Sequence, residues 1–260
     1  MSAMTNYFET TIMNTMRGIT AVAPGTVYVA LYLSDPTESG VAGTEADYSG
    51  YVRQPISLTT PAASGTAVSS KNETQITFQK PLSNVGTVTH AAICDAQNGG
   101  NVLVYKQLDN PIVLTSETSP RFAAGDIVLT MSGGNLDEAF KTKILNYLRG
   151  KNVEGFSPYL ALYNGNPSGG GTELAGVGYA RLPLVFEAPA EQTNGQMRST
   201  NSNTTQSEAA QGWGSWAYGV IMDAASGGNR VWNAQNQNTY NMTNGARVYI
   251  DANAISVALN

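Results

Sequence analysis

The feature that most constrains this chain is an internal duplication. Residues 28–55 read YVALYLSDPTESGVAGTEADYSGYVRQP, and residues 159–183 read YLALYNGNPSGGGTELAGVGYARLP. The two stretches share Tyr-x-Ala-Leu-Tyr, a proline, Gly-Thr-Glu and Gly-Tyr-x-Arg-x-Pro in the same order. Two such blocks in one chain indicate two copies of one folding unit.

A nearly constant spacing extends the duplication over the whole chain. A length of 260 residues suits two domains of ordinary size. We therefore predict a first domain over residues 1–133 and a second over residues 134–260. The matching residues include Arg53 and Arg181 (181 − 53 = 128), Asp95 and Asp223 (223 − 95 = 128), and Ile12 and Ile144 (144 − 12 = 132).

Composition and local patterns predict a mainly β fold, with two tandem β-sandwich-like domains that each follow an N-terminal α-helix. Charged residues make up only 13% of the chain, a mix typical of β-structure with polar turns rather than coiled coil or disorder. An apolar residue recurs every fourth position at the start of each repeat, which indicates an amphipathic helix. We expect each helix to pack on the sheet of its own repeat. The two stripes are Met4, Phe8, Ile12, Met16 and Leu136, Phe140, Ile144, Leu148.

Charge and cysteine content limit the classes of partner and cofactor. The net charge is −5 and no basic cluster is present, so nucleic acid is not an expected partner. The single cysteine, Cys94, excludes an internal disulfide and a Cys-based zinc site. No secretory signal, long apolar run or phosphate-binding glycine motif is apparent. We expect a soluble protein made in a cytoplasm, with no membrane contact and no cofactor.

The only histidine, His90, is the natural starting point for a catalytic hypothesis. Cys94 follows it by four positions on a predicted strand, so the two side chains share a face but stand about 13 Å apart. That separation prevents the direct contact that a Cys-His pair needs. We therefore predict packing roles, no catalytic residue and no enzyme activity here. Paired carboxylates for glycoside cleavage remain open, because they can meet from anywhere in the sequence.

Acidic and aromatic residues suggest further sites, each with a plainer interpretation. Four acidic residues of one loop could bind calcium, but their spacing matches no known calcium loop, so we expect a solvated loop and no metal. They are Asp35, Glu38, Glu45 and Asp47. Trp213, Trp216 and Tyr218 could stack on sugar rings. Trp216 and Tyr218 are predicted to share one face of a strand, which favours core packing.

The arginine of each Gly-Tyr-x-Arg motif is predicted to form a structural ion pair rather than a ligand site. The partners are the glutamates of the two Gly-Thr-Glu turns, which gives the pairs Arg53–Glu45 and Arg181–Glu173.

Residues 191–212 are almost wholly polar and replace a first-repeat strand predicted over Thr74–Phe78. We interpret this stretch as a long surface excursion, either a mobile insertion or a contact loop for a neighbouring subunit. The candidate contact residues are Gln192, Asn194, Met197, Arg198, Asn201, Asn203 and Gln206.

The ordered motifs resemble a family of tailed-bacteriophage virion proteins that are often labelled tail fibre proteins. The resemblance runs through residues 30–36, Gly43-Thr-Glu45, Gly50-Tyr-Val-Arg53, Gly86–His90 and the segment from Asp95 to Asn101. It is weaker in the second copy, where Asn164-Gly-Asn-Pro167 replaces Leu33-Ser-Asp-Pro36. The resemblance implies a structural role in the virion and offers no catalytic residues.

Three functions fit the chain at this level. The first is a tail- or fibre-associated structural protein, present in many symmetric copies and assembled with other virion proteins in the host cytoplasm. The second is a capsid-surface decoration protein. The third is a carbohydrate-binding protein that recognises a host-surface glycan. The chain lacks a β-helical repeat and a coiled-coil heptad, which argues against an elongated fibre shaft.

Overall fold

The computed structural model describes residues 3–117 and 119–259. The first repeat contains, in chain order, β1 (Ala3–Met4), α1 (Asn6–Met13), β2 (Val27–Tyr32), β3 (Gln54–Ile56), β4 (Ala62–Ser64), β5 (Ala67–Lys71), β6 (Ile76–Thr77), β7 (Gly86–Cys94), β8 (Val102–Leu114), β9 (Arg121–Phe122) and β10 (Val128–Met131), with a 3-10 turn at Asn14–Arg17. The second contains α2 (Glu138–Tyr147), β11 (Tyr159–Tyr163), β12 (Leu182–Pro183), β13 (Ala190–Glu191), β14 (Met197–Thr200), β15 (Thr205–Glu208), β16 (Gly214–Met222), β17 (Arg230–Met242), β18 (Arg247–Ile250) and β19 (Ser256–Leu259), with a 3-10 turn at Pro167–Gly169.

The strand pairings of the first repeat recur in the second. The first repeat has sheets in the orders β1-β8-β7-β2-β3, β10-β5-β4 and β6-β9. The second has β12-β11-β16-β17, β13-β14-β19 and β15-β18. These pairings are antiparallel. The predicted class, a mainly β fold of two repeats with a helix at the start of each, is confirmed. The division at residues 1–133 and 134–260 stays a prediction.

Each large sheet buries one face against the smaller sheets of its repeat. In the first repeat, Val29 and Ile93 of the large sheet belong to the same buried cluster as Val68 and Leu129 of the three-stranded sheet. Burial of apolar surface between sheets is the main favourable term in folding such layers. The cluster continues without a break into the second repeat, so the two repeats share one core.

Both predicted helices form, and their apolar stripes are buried or nearly so. Thr5 caps α1 by accepting a hydrogen bond from the Phe8 amide at 3.4 Å. Asp137 caps α2 by accepting from the Ala139 amide at 3.1 Å.

The helices lie between the repeats rather than on one sheet each. Helix α1 contacts β8 of its own repeat and β14 of the other, and α2 contacts β17 of its own repeat and β5 of the other. The expectation that each helix packs on its own sheet was therefore incomplete. An apolar stripe specifies that a helix is buried but does not specify which element covers it.

Ala21 and Val153 mark a pseudo-two-fold axis at the joint. The amide of each residue donates to the carbonyl of the other, at 2.9 and 3.0 Å. The two positions are equivalent, because 153 − 21 = 132 is the spacing that relates the two helices. Contact between equivalent residues is characteristic of two-fold dimer interfaces. The repeats are thus arranged like the subunits of a symmetric dimer within one chain.

The same joint brings two equivalent charged residues into buried positions, Glu9 on α1 and Lys141 on α2 (141 − 9 = 132). The Glu9 carboxylate accepts a hydrogen bond from the Met197 amide at 3.3 Å, and Lys141 Nζ donates to the Thr66 carbonyl at 2.8 Å. Burial raises the pKa of Glu9 to about 8, with a smaller contribution from Glu38, and burial lowers the pKa of Lys141.

The interpretation of residues 191–212 as a surface excursion was wrong. Strands β14 and β15 lie within this stretch and pair with β19 and β18, so the second repeat keeps the counterpart of β6. Three of its polar side chains, Ser199, Asn201 and Thr205, are buried. Asn201 Nδ2 donates to two carbonyls at 2.8 Å, and Oδ1 accepts from the Ile255 amide. Asn72 of the first repeat makes the same set of bonds. Polar composition indicated exposure, but hydrogen-bonded polar groups can be buried.

Replacing Gly155 with alanine is expected to destabilise the whole chain. A Cβ at Gly155 would collide with the backbone of Gly18 across the joint. Overpacking of this kind costs about 1–3 kcal/mol, and each kcal/mol lowers the melting temperature by about 2–4 °C in a chain of this size. Thermal unfolding followed by circular dichroism measures the change. The control is Gly25→Ala, whose Cβ would meet open space; equal melting temperatures for the two variants would contradict the tight joint.

Replacing Glu9 with glutamine is expected to stabilise the protein at alkaline pH only. The folded pKa of Glu9, about 8, lies above the ordinary value of 4.5. The stability that the wild-type protein gains from protonated, buried Glu9 is therefore fully present below pH 4.5 and is lost as the pH rises through 8. Urea unfolding of Glu9→Gln and wild type at both ends of that range measures the difference. The exposed Glu73→Gln controls for the loss of one charge, and a Glu9→Gln effect of equal size at both pH values would refute the assignment.

Candidate functional site

Each repeat contains a Glu–Arg–Tyr network beside its large sheet. In the first repeat, Arg53 Nη2 and Nε donate to the two carboxylate oxygens of Glu45 at 2.7 and 2.9 Å, and the Tyr51 hydroxyl donates to Glu45 Oε1 at 2.9 Å. Arg53 Nη1 also donates to the carbonyls of Ala96 and Gly99, at 2.9 and 2.6 Å. The network joins the loop after β2, the segment leading into β3 and the turn after β7. The predicted ion pair is confirmed.

The second repeat reproduces this network at a spacing of 128. Arg181 donates to both oxygens of Glu173 at 2.8 Å, and Tyr179 donates to Glu173 Oε1 at 2.9 Å. Although burial raises the pKa of Glu173, the hydrogen bonds from Arg181 and Tyr179 bring that pKa below its ordinary value. Burial raises the pKa of Tyr179. The polar groups satisfy one another, so the network stabilises the loop rather than offering a reactive group.

His90 and Cys94 do not form a catalytic pair. His90 Nδ1 lies 2.9 Å from Thr89 Oγ1, and Nε2 lies 3.9 Å from Asp35 Oδ2. Cys94 is fully buried, and burial raises the pKa of its thiol to about 12. A thiol of such high pKa is protonated at neutral pH and is a poor nucleophile.

The aromatic residues of the second repeat divide between two faces of its large sheet. Trp213 is buried, and its Nε1 donates to the Val177 carbonyl at 3.1 Å. Trp216 packs against the main core, whereas Tyr218 packs on a small cluster of the opposite face. The prediction that Trp216 and Tyr218 share a face was wrong, because the pairing of β16 with β17 shifts register between them and the irregularity interrupts the alternation.

Trp216 borders an open cleft between the large sheet of the second repeat and the segment over β18 and β19. We call it the second-repeat cleft. Its volume is about 700 Å³, within the roughly 300–1,000 Å³ of ligand-binding clefts. The aromatic and polar side chains that line it include Trp216, Trp232, Gln235, Asn236, Gln237, Tyr240, Arg247 and Tyr249.

The seven candidate contact residues lie in strands and turns rather than in one loop. Met197 and Asn201 are buried inside the fold, so neither is accessible to a partner. The other five reach the surface to different extents: Asn194, Arg198 and Gln206 are exposed, and Gln192 and Asn203 are half-buried.

Two general site types are not found in the part of the chain that the structure describes. Over residues 3–117 and 119–259, no three His, Cys, Asp or Glu side chains are grouped so that they could hold a metal ion. Within the same ranges, none of the helices has the length and apolar character needed to cross a membrane.

Comparison with known protein families shows to which family the chain belongs. The model of the family described as podophage GP4 fiber I protein gp80 matches residues 3–130 and again residues 135–258. The chain belongs to this family. The earlier resemblance to phage tail fibre proteins is thereby confirmed, and so is the tandem duplication. No curated protein matches the chain.

Membership in the gp80 fiber family indicates a structural role in the virion and association with other virion components. Each of the two family matches contains one complete Glu–Arg–Tyr network. Both networks thus lie within the regions that the family model matches. The second-repeat cleft, which is lined by two tryptophans and two tyrosines, differs from its first-repeat counterpart, which is lined by Tyr105 and Phe122.

Removing the arginine from the first network should destabilise the protein. In Arg53→Met, Glu45 loses two hydrogen bonds and two carbonyls lose a donor. The expected loss in the free energy of unfolding is smaller than the cost of about 3–5 kcal/mol for breaking a fully buried ion pair, because the Glu45 side chain is 26% exposed. Urea unfolding measures it. The control is Lys106→Met, which breaks the exposed Lys106–Asp109 pair and should cost about 0–1 kcal/mol. Equal losses would contradict a stabilising role for the network.

Proposed function

We propose that the protein is a structural component of a phage tail or its fibres and acts by assembly with other virion proteins, without catalysis. The observation that carries the proposal is the match of the gp80 fiber family to both repeats. The mutually satisfied Glu–Arg–Tyr networks and the protonated Cys94 thiol support a role without catalysis. On this proposal the protein is made and assembled in the host cytoplasm and is present in many symmetric copies.

We further propose that the exposed residues around β14 and β15 form an attachment surface. Arg198 and Gln206 are exposed on these strands, and Asn194 is exposed in the turn before β14. The strands beneath are fixed by pairing with β19 and β18. A surface on paired strands keeps its shape, so a partner can bind it with little cost of ordering.

Decoration of the capsid surface is the second assembly role that the fold allows. It uses the same kind of protein-protein contact and differs only in position on the particle. A density map of the particle separates the two, because the tail proposal predicts density for the chain at the tail and the alternative predicts it on the capsid shell.

Reversing the charge of the proposed attachment surface is expected to reduce incorporation into particles. The variant Arg198→Glu should fold normally, since Arg198 is exposed, and should fall at least tenfold in abundance relative to the capsid protein. Quantitative mass spectrometry of purified particles measures this ratio. The matched control is Lys71→Glu, an exposed basic residue on β5, the first-repeat counterpart of β14.

Two results separate the parts of the proposal. Normal incorporation of Arg198→Glu would exclude this surface as the attachment site. Absence of the wild-type protein from purified particles would refute the structural role itself.

A further inference from the structure

The second-repeat cleft contains aromatic residues that the fold itself does not require. At the spacing of 128, the first repeat has no aromatic residue at any of the four corresponding positions, and its cleft has a volume of only about 290 Å³. The four substitutions from the first repeat to the second are Val88 to Trp216, Val104 to Trp232, Ile112 to Tyr240 and Arg121 to Tyr249.

Trp216 and Tyr240 form the centre of this aromatic surface. They lie opposite each other on the paired strands β16 and β17, and their ring centroids are 5.4 Å apart. Trp216 Nε1 donates to the Tyr218 carbonyl at 3.0 Å, which fixes the indole. Tyr240 is 47% exposed and Tyr249 is 56% exposed. Aromatic side chains with fixed geometry and exposed rings provide contact area at low cost in conformational entropy.

The polar groups beside the rings are mainly uncharged amides. Gln235, Asn236 and Gln237 line the cleft from β17, and a side-chain amide can both donate and accept hydrogen bonds. Gln235 Oε1 accepts from the Tyr218 hydroxyl at 3.2 Å on the opposite face of the sheet, so Asn236 and Gln237 are the amides beside the rings. Arg247 is the one ionisable Lys, Arg, Asp or Glu among the described residues that line it, and its Nε donates to Glu208 at 2.8 Å. The first-repeat cleft differs here too, since Lys106 and Asp109 line it.

This combination selects for a neutral, hydroxyl-rich ligand. An anionic ligand such as a nucleic acid needs cations to neutralise its phosphates, and the one arginine here is already paired. A sugar ring offers an apolar C–H face that stacks on an aromatic ring, and hydroxyls at its edge that bond to amides. The cleft is open to solvent, and its volume of about 700 Å³ is large enough for more than one ring.

We propose that the second-repeat cleft binds a neutral oligosaccharide, which stacks on Trp216 and Tyr240 and hydrogen-bonds to Asn236 and Gln237. The site is specific to the second repeat. It borders the proposed attachment surface, because Tyr249 lies opposite Gln206 on the paired strands β18 and β15. The proposal does not depend on the proposed assembly role. On this proposal both repeats share one fold, and only the second repeat carries a glycan-binding site.

An array of neutral and anionic oligosaccharides, followed by titration of each neutral hit, tests this proposal. Trp216 lies in the cleft, so binding should change the intrinsic tryptophan fluorescence. The double variant Trp216→Val, Tyr240→Ile installs the pair that the first repeat already carries at these positions, and it should weaken binding at least tenfold. Asp109→Asn in the first-repeat cleft is the control and should leave the affinity unchanged.

If circular dichroism shows that the double variant is unfolded, Gln237→Ala serves as a second variant. It removes an amide proposed to contact the ligand, and Gln237 lies at an exposed position. It should weaken the same binding without changing the fold. Absence of any neutral hit, preferential binding of anionic glycans, or neutral binding that both variants retain would overturn the proposal. Incorporation into particles is measured separately, so a failure here leaves the assembly role as it stands.

Discussion

The structure depends on the reciprocal backbone pairing of Ala21 with Val153 and on the two helices packed beside it. This joint places equivalent residues in contact around a pseudo-two-fold axis. It also positions each helix between a strand of its own repeat and a strand of the other. The apolar stripes of the helices therefore complete a single core that neither repeat contains alone. Such an arrangement follows from duplication of a unit that could pair with itself.

The two repeats differ little in their buried networks and more in their clefts. The Glu–Arg–Tyr network is the same in both repeats, because each loop needs the same buried hydrogen bonds to close over its sheet. The joint tolerates a change of charge between Glu9 and Lys141, since each of these finds a backbone partner in the opposite repeat. The clefts differ most. The facing rings of Trp216 and Tyr240 appear in only one of them, where the proposed glycan site would add an activity to the assembly role.

The sequence predicted those features that depend on local pattern. The helical stripes, the strongest strands and the Arg53–Glu45 pair follow from periodicity and from the repeat. The register shift beside Trp216 could not be read from alternation, because such a shift interrupts the alternation itself. The strands within residues 191–212 were missed because their buried side chains are polar. One signal was present: Asn72 and Asn201 match at a spacing of 129, which points to a single-residue insertion. The crossed positions of the helices depend on tertiary contacts alone.

Differential scanning calorimetry of the intact chain tests the shared core most directly. If the two repeats are stabilised by one core and one joint, they unfold together. The account then predicts a single transition, with a calorimetric enthalpy equal to the van't Hoff enthalpy. Two separate transitions, or a calorimetric enthalpy about twice the van't Hoff value, would show that the repeats unfold independently and would contradict it.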